Sequence, residues 1–228
     1  MRLFRRATQT KGGGNGKMFY QPKNGDHGLP KNPFNSLVIP RPIGWITSLD
    51  ADGVINLAPY SFFNAVCYRP PTVMFAAGAG PGTEAGGDWS KDSRRNIEAT
   101  GEFVCNLTTW DTREQMNQTS ATVARDVDEM ALAGLTPEAS ELVKPPRVAE
   151  APVHFECRHV RSLEIPHWDE PDQYYVVFGE VIGVHIRDDL ITEDGLIDVA
   201  KMRPIGRLGY NDYTVVNPDT IFTMIRPD

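Results

Sequence analysis

The segment from Ile39 to Ala77 restricts the fold more than any other part of the chain. Ile39-Pro40-Arg41-Pro42-Ile43-Gly44-Trp45-Ile46-Thr47-Ser48 reads as strand, and Asp50-Ala51-Asp52-Gly53 follows it as a hairpin turn, because Asp-Gly tolerates positive φ. Ala58-Pro59-Tyr60-Ser61-Phe62-Phe63-Asn64-Ala65-Val66 comes next, then a Pro70-Pro71 break and the apolar run Thr72–Ala77. Together these predict short strands joined by tight turns. Thr47, Ser48, Ser61 and Asn64 interrupt the apolar runs where an ordinary core would carry Val or Ile. Buried hydroxyls and amides need partners, and two sources are open. One is a polar, planar guest lying against the strands; the other is the protein's own loop backbone.

The same residues carry a family resemblance. Pro40-Arg41-Pro42-Ile43-Gly44-Trp45-Ile46-Thr47-Ser48, then Asn56 to Val66 and Pro70-Pro71, occur in the order that resembles the flavin reductase-like family. The nearest subgroup is the one named after the reductase component of nitrilotriacetate monooxygenase, and the similarity runs from about Met18 to the C-terminus. The resemblance implies a mainly β fold with short helices, an FMN-binding split β-barrel. It also implies a homodimer with FMN near the subunit interface, and NAD(P)H-dependent reduction of that flavin.

Bulk properties agree with one such domain over residues 18–228. A chain of 228 residues buries a sizeable core, and none of its apolar runs approaches the length of a transmembrane helix. Cys67, Cys105 and Cys157 are odd in number and widely spaced, which points to reduced thiols and a cytoplasmic setting. Residues 1–17 hold five basic side chains and no acidic one, and read as a flexible basic leader. The remainder sets 18 basic against 30 acidic residues. A body of that charge argues against nucleic-acid binding, which needs clustered Lys and Arg, and leaves enough basic sites for one cofactor phosphate.

Two glycine-rich stretches invite nucleotide motifs and satisfy neither. Lys11-Gly12-Gly13-Gly14-Asn15-Gly16-Lys17 has Lys where a P-loop needs its first Gly, and Met18 where it needs Ser or Thr. Gly78-Ala79-Gly80-Pro81-Gly82 has the wrong spacing for a dinucleotide fingerprint and a Pro inside it, so residues 78–87 are expected to form a mobile loop. That loop leads to Ser90-Lys91-Asp92-Ser93-Arg94-Arg95-Asn96-Ile97, where Asp92 or Ser93 is placed to cap a helix ending at Gly101. A helix start beside Lys91 suits a phosphate ester as well as it suits an ordinary capped surface helix. The Lys-Asp-Ser/Thr-x-x-Asn-Ile pattern occupies this place in the family, which implies phosphate-site roles for Lys91, Ser93 and Asn96. Ser93 stands where members more often carry Thr.

Further along, Phe103–Leu107 reads as a strand, and Asp111 as the cap of a helix from Thr112 to about Thr122. Residues 125–150 read as short helical pieces and loops, with Asp126, Asp128 and Glu129 on a solvated face. Val153–Ile165 and Tyr174–Ile186 are the longest strand candidates. His154, Cys157 and His159 lack a fourth ligand and alternate faces on a strand, so no metal site is expected.

The chain has no Gly-x-Ser-x-Gly elbow, no His-Glu-x-x-His helix and no Cys-x-x-Cys pair. That suits an enzyme whose cofactor carries the reactivity. On the flavin reading, Asn64 and backbone N–H groups hold the ring edge, and Thr47 and Ser61 hold ribityl or phosphate oxygens. Arg41 or Lys91 supplies positive charge, and Trp45, Ile46, Phe62 and Phe63 line the strands along which the ring lies. Cys67 is either near the flavin or a small packed residue. Pro204-Ile205-Gly206-Arg207-Leu208-Gly209-Tyr210-Asn211-Asp212-Tyr213 resembles a late family motif, in which Arg207 offers charge to the flavin or to a nicotinamide phosphate and Tyr210 or Tyr213 either covers the ring or is ordinary packing. His185 is either a residue near the nicotinamide or a surface histidine. The expected co-substrate is NADH or NADPH, and a flavin-dependent oxygenase is a candidate acceptor. The competing reading is an FMN-binding electron carrier with no nicotinamide site.

Overall fold

The computed structural model describes residues 17–78, 91–166, 168 and 174–227. The basic leader, the glycine-rich loop after Gly78 and most of the 166–173 connection lie outside those residues. Strands β1 (Arg41–Pro42), β2 (Gly44–Leu49), β3 (Ile55–Tyr60), β4 (Phe63–Tyr68) and β5 (Pro71–Ala77) come first. Helix α1 (Asp92–Thr100) and strand β6 (Glu102–Leu107) follow, then the short helices α2 (Arg113–Gln118) and α3 (Glu129–Leu132). A two-stranded ribbon, β7 (Pro137–Glu138) with β8 (Arg147–Val148), precedes the long antiparallel pair β9 (Val153–Ile165) and β10 (Tyr174–Ile186). Helix α4 (Val199–Met202) and strands β11 (Ile205–Arg207) and β12 (Tyr213–Val215) complete the order.

Seven strands form one antiparallel sheet in the order β3-β2-β6-β9-β10-β5-β4. Strands β3 and β4 therefore lie at opposite edges, yet only Ser61 and Phe62 separate them in sequence. A two-residue link spans about 7–10 Å, far less than the width of seven strands about 4.8 Å apart. The sheet must roll until its two edges meet. The result is a barrel with a seam at Ser61–Phe62, where β3 and β4 abut without pairing. A fold that is mainly β, closed in this incomplete way, is a split barrel.

Alternation along β2 separates two cores. Ile46 faces inward with Val73, Phe75, Phe103, Cys157 and Val177, and Ile97 of α1 reaches the same cluster. Trp45 faces outward with Leu57, Met116, Met130 and Val148. Gly179 permits the inner packing, since a Cβ there would lie 2.2 Å from Cζ of Phe103. Gly101 ends α1 in the left-handed region at φ 77°, as its position in the sequence predicts.

Three local expectations change. The cap of α1 is Lys91, in extended conformation, and not Asp92 or Ser93. The second helix is shorter than predicted, Arg113–Gln118, and starts after Thr112. Glu129 is not on a solvated face: its carboxylate accepts from Asn56 Nδ2 at 3.0 Å and from the Leu57 N–H at 3.0 Å. β3 is an edge strand, and Glu129 occupies the donor that a neighbouring strand would otherwise take.

Candidate functional site

The seam gathers several of the residues singled out by sequence. Ser61 and Phe62 form the link, and Phe63 and Asn64 open β4. Phe62 O accepts from Ala76 N at 2.8 Å, fixing the link against the end of β5. Phe63 crosses directly over Gly44, where a Cβ would lie 2.4 Å from Phe63 Cδ2. Arg41 is buried beside the seam: its Nε donates to Ser61 Oγ at 3.4 Å, its guanidinium lies 5.7 Å from the Phe62 ring, and Nη1 donates to the carbonyls of Asn35 and Val38. The rings of Phe62 and Tyr174 stand 6.5 Å apart, and Arg94 of α1 stacks on Tyr175 at 3.7 Å. Ser93, in the first turn of α1, hydrogen-bonds the Tyr60 side chain one residue before Ser61, so the start of α1 stands at the rim of the seam. The Lys91 side chain makes no capping hydrogen bond to that start, and a helix start beside a lysine is a setting that favours an anion.

Ser93 and Asn96 turn away from that rim. Both are buried; Ser93 Oγ donates to Asn56 Oδ1 at 2.7 Å, and Asn96 Nδ2 donates to Ser48 Oγ at 3.4 Å. With Glu129 and Tyr60 they form a polar layer between α1 and the barrel, and burial pushes the Tyr60 hydroxyl up to about 12. Thr47 accepts from Asn106 Nδ2 at 2.8 Å, and Trp45 Nε1 donates to Thr119 Oγ1 at 2.9 Å. Trp45, Ile46 and Thr47 are fully buried, and β2 is paired along both edges. These three side chains are buried on the two faces of β2, Ile46 inward and Trp45 outward, and do not line the seam. Thr47 and Ser48 thus find partners in other side chains, Asn56, Asn96 and Asn106, which neither sequence alternative named, whereas Asn64 Oδ1 accepts from the backbone N–H of Ala65 at 2.9 Å, as the local-backbone alternative has it.

Cys67 and His185 lie elsewhere. Cys67 is exposed, four residues along β4 from Phe63, or about 13 Å of strand. His185 is ten residues along β10 from Tyr175, about 30 Å of strand away from the rim. Its Nε2 lies 2.5 Å from Oε1 of Glu156. Glu156, fully buried, also accepts from the N–H groups of Glu141, Leu142 and Val143 at 2.6–3.1 Å. Burial alone would raise its carboxyl, but these donors and His185 outweigh it and hold the group below the ordinary carboxylate value. Within one chain, His185 therefore joins a buried anchor for the 141–143 loop and not the seam. Among the described residues, no three of His, Cys, Asp and Glu gather as metal ligands would, and no helix is long and apolar enough to cross a membrane.

A cavity of about 800 Å³ opens on the outer side of the seam. Ser61 lines both. Arg207 lies opposite Arg41 in the β1–β11 pair, so two guanidiniums stand abreast. Burial, and then the charge of Arg207, lower the pKa of Arg41. Trp110, Arg113, Asn117, Asn211 and Tyr213 supply much of the remaining wall. Sequence reading did not reach Trp110, Arg113 or Asn117, because they sit in and before a short helix with no motif of its own.

Comparison with known proteins fits this geometry. The flavin reductase like domain matches residues 35–206. An uncharacterised protein of Aquifex aeolicus is 38% identical over 177 residues, covering 78% of this chain and 85% of that one. The structure is similar to nitrilotriacetate monooxygenase component B from Bacillus cereus, with TM-score 0.80 and 29% identity over 92% of this chain and 100% of that one. It is also similar to the 2-nitrobenzoate 2-nitroreductase NbaA of Pseudomonas fluorescens, with TM-score 0.72 and 28% identity over 85% and 88% of the two chains. A split barrel whose seam carries the shared motif, matched over most of its length, places this chain in the flavin reductase-like family.

Proposed function

We propose that the protein is an FMN-dependent, NAD(P)H-oxidising flavin oxidoreductase that passes reducing equivalents to free flavin or to a partner oxygenase. The observation that carries this reading is the rim itself, where the start of α1, preceded by Lys91, lies near the Ser61–Asn64 seam and β4 forms an edge of the sheet among the described residues. The residues fit the cofactor. Lys91 and the first N–H groups of α1 suit the phosphate, and Phe62 and Phe63 offer apolar surface to the ring. The outward N–H groups of β4 and the amide of Asn64 suit the ring's polar edge, while Arg41 and Ser61 supply positive charge and a hydroxyl beside it. Ser93 and Asn96 support α1 from below, and Trp45, Ile46 and Thr47 anchor β2 in the cores on its two faces. Bound FMN would supply hydride acceptance at the ring. The chain's own residues would hold the flavin's tail, stabilise charge on the reduced ring and exclude water from one face.

The resemblance to a monooxygenase component B supports an oxygenase as the acceptor. An edge strand β4 that has no strand on its outer side among the described residues and exposes Val66 and Tyr68 supports a homodimer. The reading of an electron carrier without a nicotinamide site differs in one measurable respect, the absence of turnover with NADH or NADPH despite bound flavin.

Fluorescence titration with FMN tests the cofactor site. The wild-type chain should take up one FMN per subunit, and Lys91→Ala should weaken binding by about 1.5–3 kcal/mol, the range for a hydrogen bond to a charged group. An FMN affinity indifferent to Lys91→Ala would remove Lys91 from the site. Steady-state oxidation of NADH and NADPH by the flavin-loaded protein then separates reductase from carrier.

A further inference from the structure

The cavity outside the seam has its own chemistry. Two aromatic rings stand open in its wall, Trp110 at 39% and Tyr213 at 38% exposure, where ordinary packing would cover such surface. Each is stiffened by a guanidinium: Arg113 lies 4.0 Å from the Trp110 ring, and Arg207 lies 4.4 Å from the Tyr213 ring. Asn117 and Asn211 add amides, and Met116 and Ile205 give a buried apolar base. A pocket of this size with apolar walls and a few polar groups is proportioned for a small organic ligand.

Charge decides which kind. Arg113 is offset by Glu114, with Nε 3.3 Å from Oε1. Arg207 has no carboxylate partner among the described residues; it donates only to the carbonyl of Tyr210. Arg41, abreast of it, does not line the cavity and donates to carbonyls and to Ser61. The wall thus presents one cation without a carboxylate partner among the described residues, against the Tyr213 ring, with the Trp110 ring elsewhere in the same wall. That matches a planar ring with a single negative charge, and it undersupplies a pyrophosphate, which would call for several cations.

We propose that this cavity binds a planar aromatic carboxylate beside the flavin, with Arg207 on the carboxylate and Tyr213 and Trp110 along the ring. Ser61, shared by cavity and seam, places such a ligand next to the flavin edge. The inference rests on the flavin reading and extends it from cofactor to second ligand, since nothing in the cofactor site requires an aromatic-walled cavity on the outer side.

Calorimetric titration of the flavin-loaded protein with benzoate, and separately with 5′-AMP, tests it. Benzoate should bind saturably, Arg207→Gln and Tyr213→Ala should each weaken it at least tenfold, and 5′-AMP should bind more weakly than benzoate. Should Arg207→Gln fail to fold, Tyr213→Ala and Asn117→Ala, both at half-exposed or exposed positions, carry the test. No saturable benzoate binding, benzoate affinity indifferent to these substitutions, or tighter binding of 5′-AMP through the same residues would each overturn the proposal. FMN titration of the same preparations keeps the two readings apart. A wild-type chain that fails to take FMN removes the flavin reading, whereas a chain that takes FMN while its anion binding ignores the cavity residues removes only this one.

Discussion

Glu156 and His154 show how single residues in this barrel set its response to acid. Glu156 has a depressed pKa in the fold, so its contribution to stability is complete above the unfolded glutamate value, about 4.3, and is lost as pH falls below it. His154 is buried, its Nε2 sits 2.9 Å from Val148 O, and its Nδ1 has no partner. Burial lowers its pKa, so the unfolded chain binds this proton first and stability declines as pH drops below about 6.5. Glu129 acts in the opposite sense: burial raises its pKa, and the cost of keeping it ionised disappears on protonation. Melting temperature measured from pH 8 to 3 should therefore fall in two stages, and His154→Gln should flatten the stage between pH 7 and 5. Retention of that stage in the variant would assign it to another group. At this scale the sequence was half legible. Polar residues inside strands announce unusual needs, but Thr47 finds its partner 59 residues away in Asn106, and Ser48 is shared between Asn56 across the hairpin and Asn96 48 residues away; the distant partners are ones that no local pattern encodes.

Elements were easier to read than partners. The hairpin at Asp50–Gly53, the helix ending at Gly101 and the two long strands follow from turn chemistry and apolar runs, and the structure has them. The caps and the length of α2 did not, because helices this short are fixed by what they pack against and not by propensity. The link between β3 and β4 is the element on which the site depends. Gly44 makes it possible by letting Phe63 lie against the β2 backbone. Gly44→Ala should push Phe63 and the start of β4 outward, costing about 1–3 kcal/mol of stability as overpacking. It should also weaken FMN binding, even though residue 44 would not touch the cofactor. Denaturant unfolding and FMN titration on the same variant measure both; wild-type FMN affinity in a destabilised protein would separate the seam from the cofactor.

For the whole molecule, the rolled sheet leaves β3 and β4 as edges, and the chain treats them differently. Glu129 satisfies β3 from within, whereas β4 is left open with Val66 at 48% and Tyr68 at 93% exposure. An edge of that kind is disfavoured in a lone subunit, so the wild type should sediment as a dimer, and Tyr68→Lys with Val66→Lys should shift it to monomer at micromolar concentration. A wild-type monomer in analytical ultracentrifugation, or a dimer indifferent to both changes, would put the interface elsewhere. The family motif made the barrel legible from sequence. The cavity was not, because its walls come from α2 and from β11–β12, about a hundred residues apart, and meet only once the C-terminal strands pair with β1.

The side-by-side arginines of β1 and β11 have a practical corollary for anyone working with the protein in a tube. Arg207 is the one of the pair that faces the cavity, and Arg41 behind it adds to the positive field, so a small anion of the medium such as phosphate or sulfate should compete there for Arg207. Ligand affinities read in such buffers should come out weaker than those read in a zwitterionic buffer of matched ionic strength.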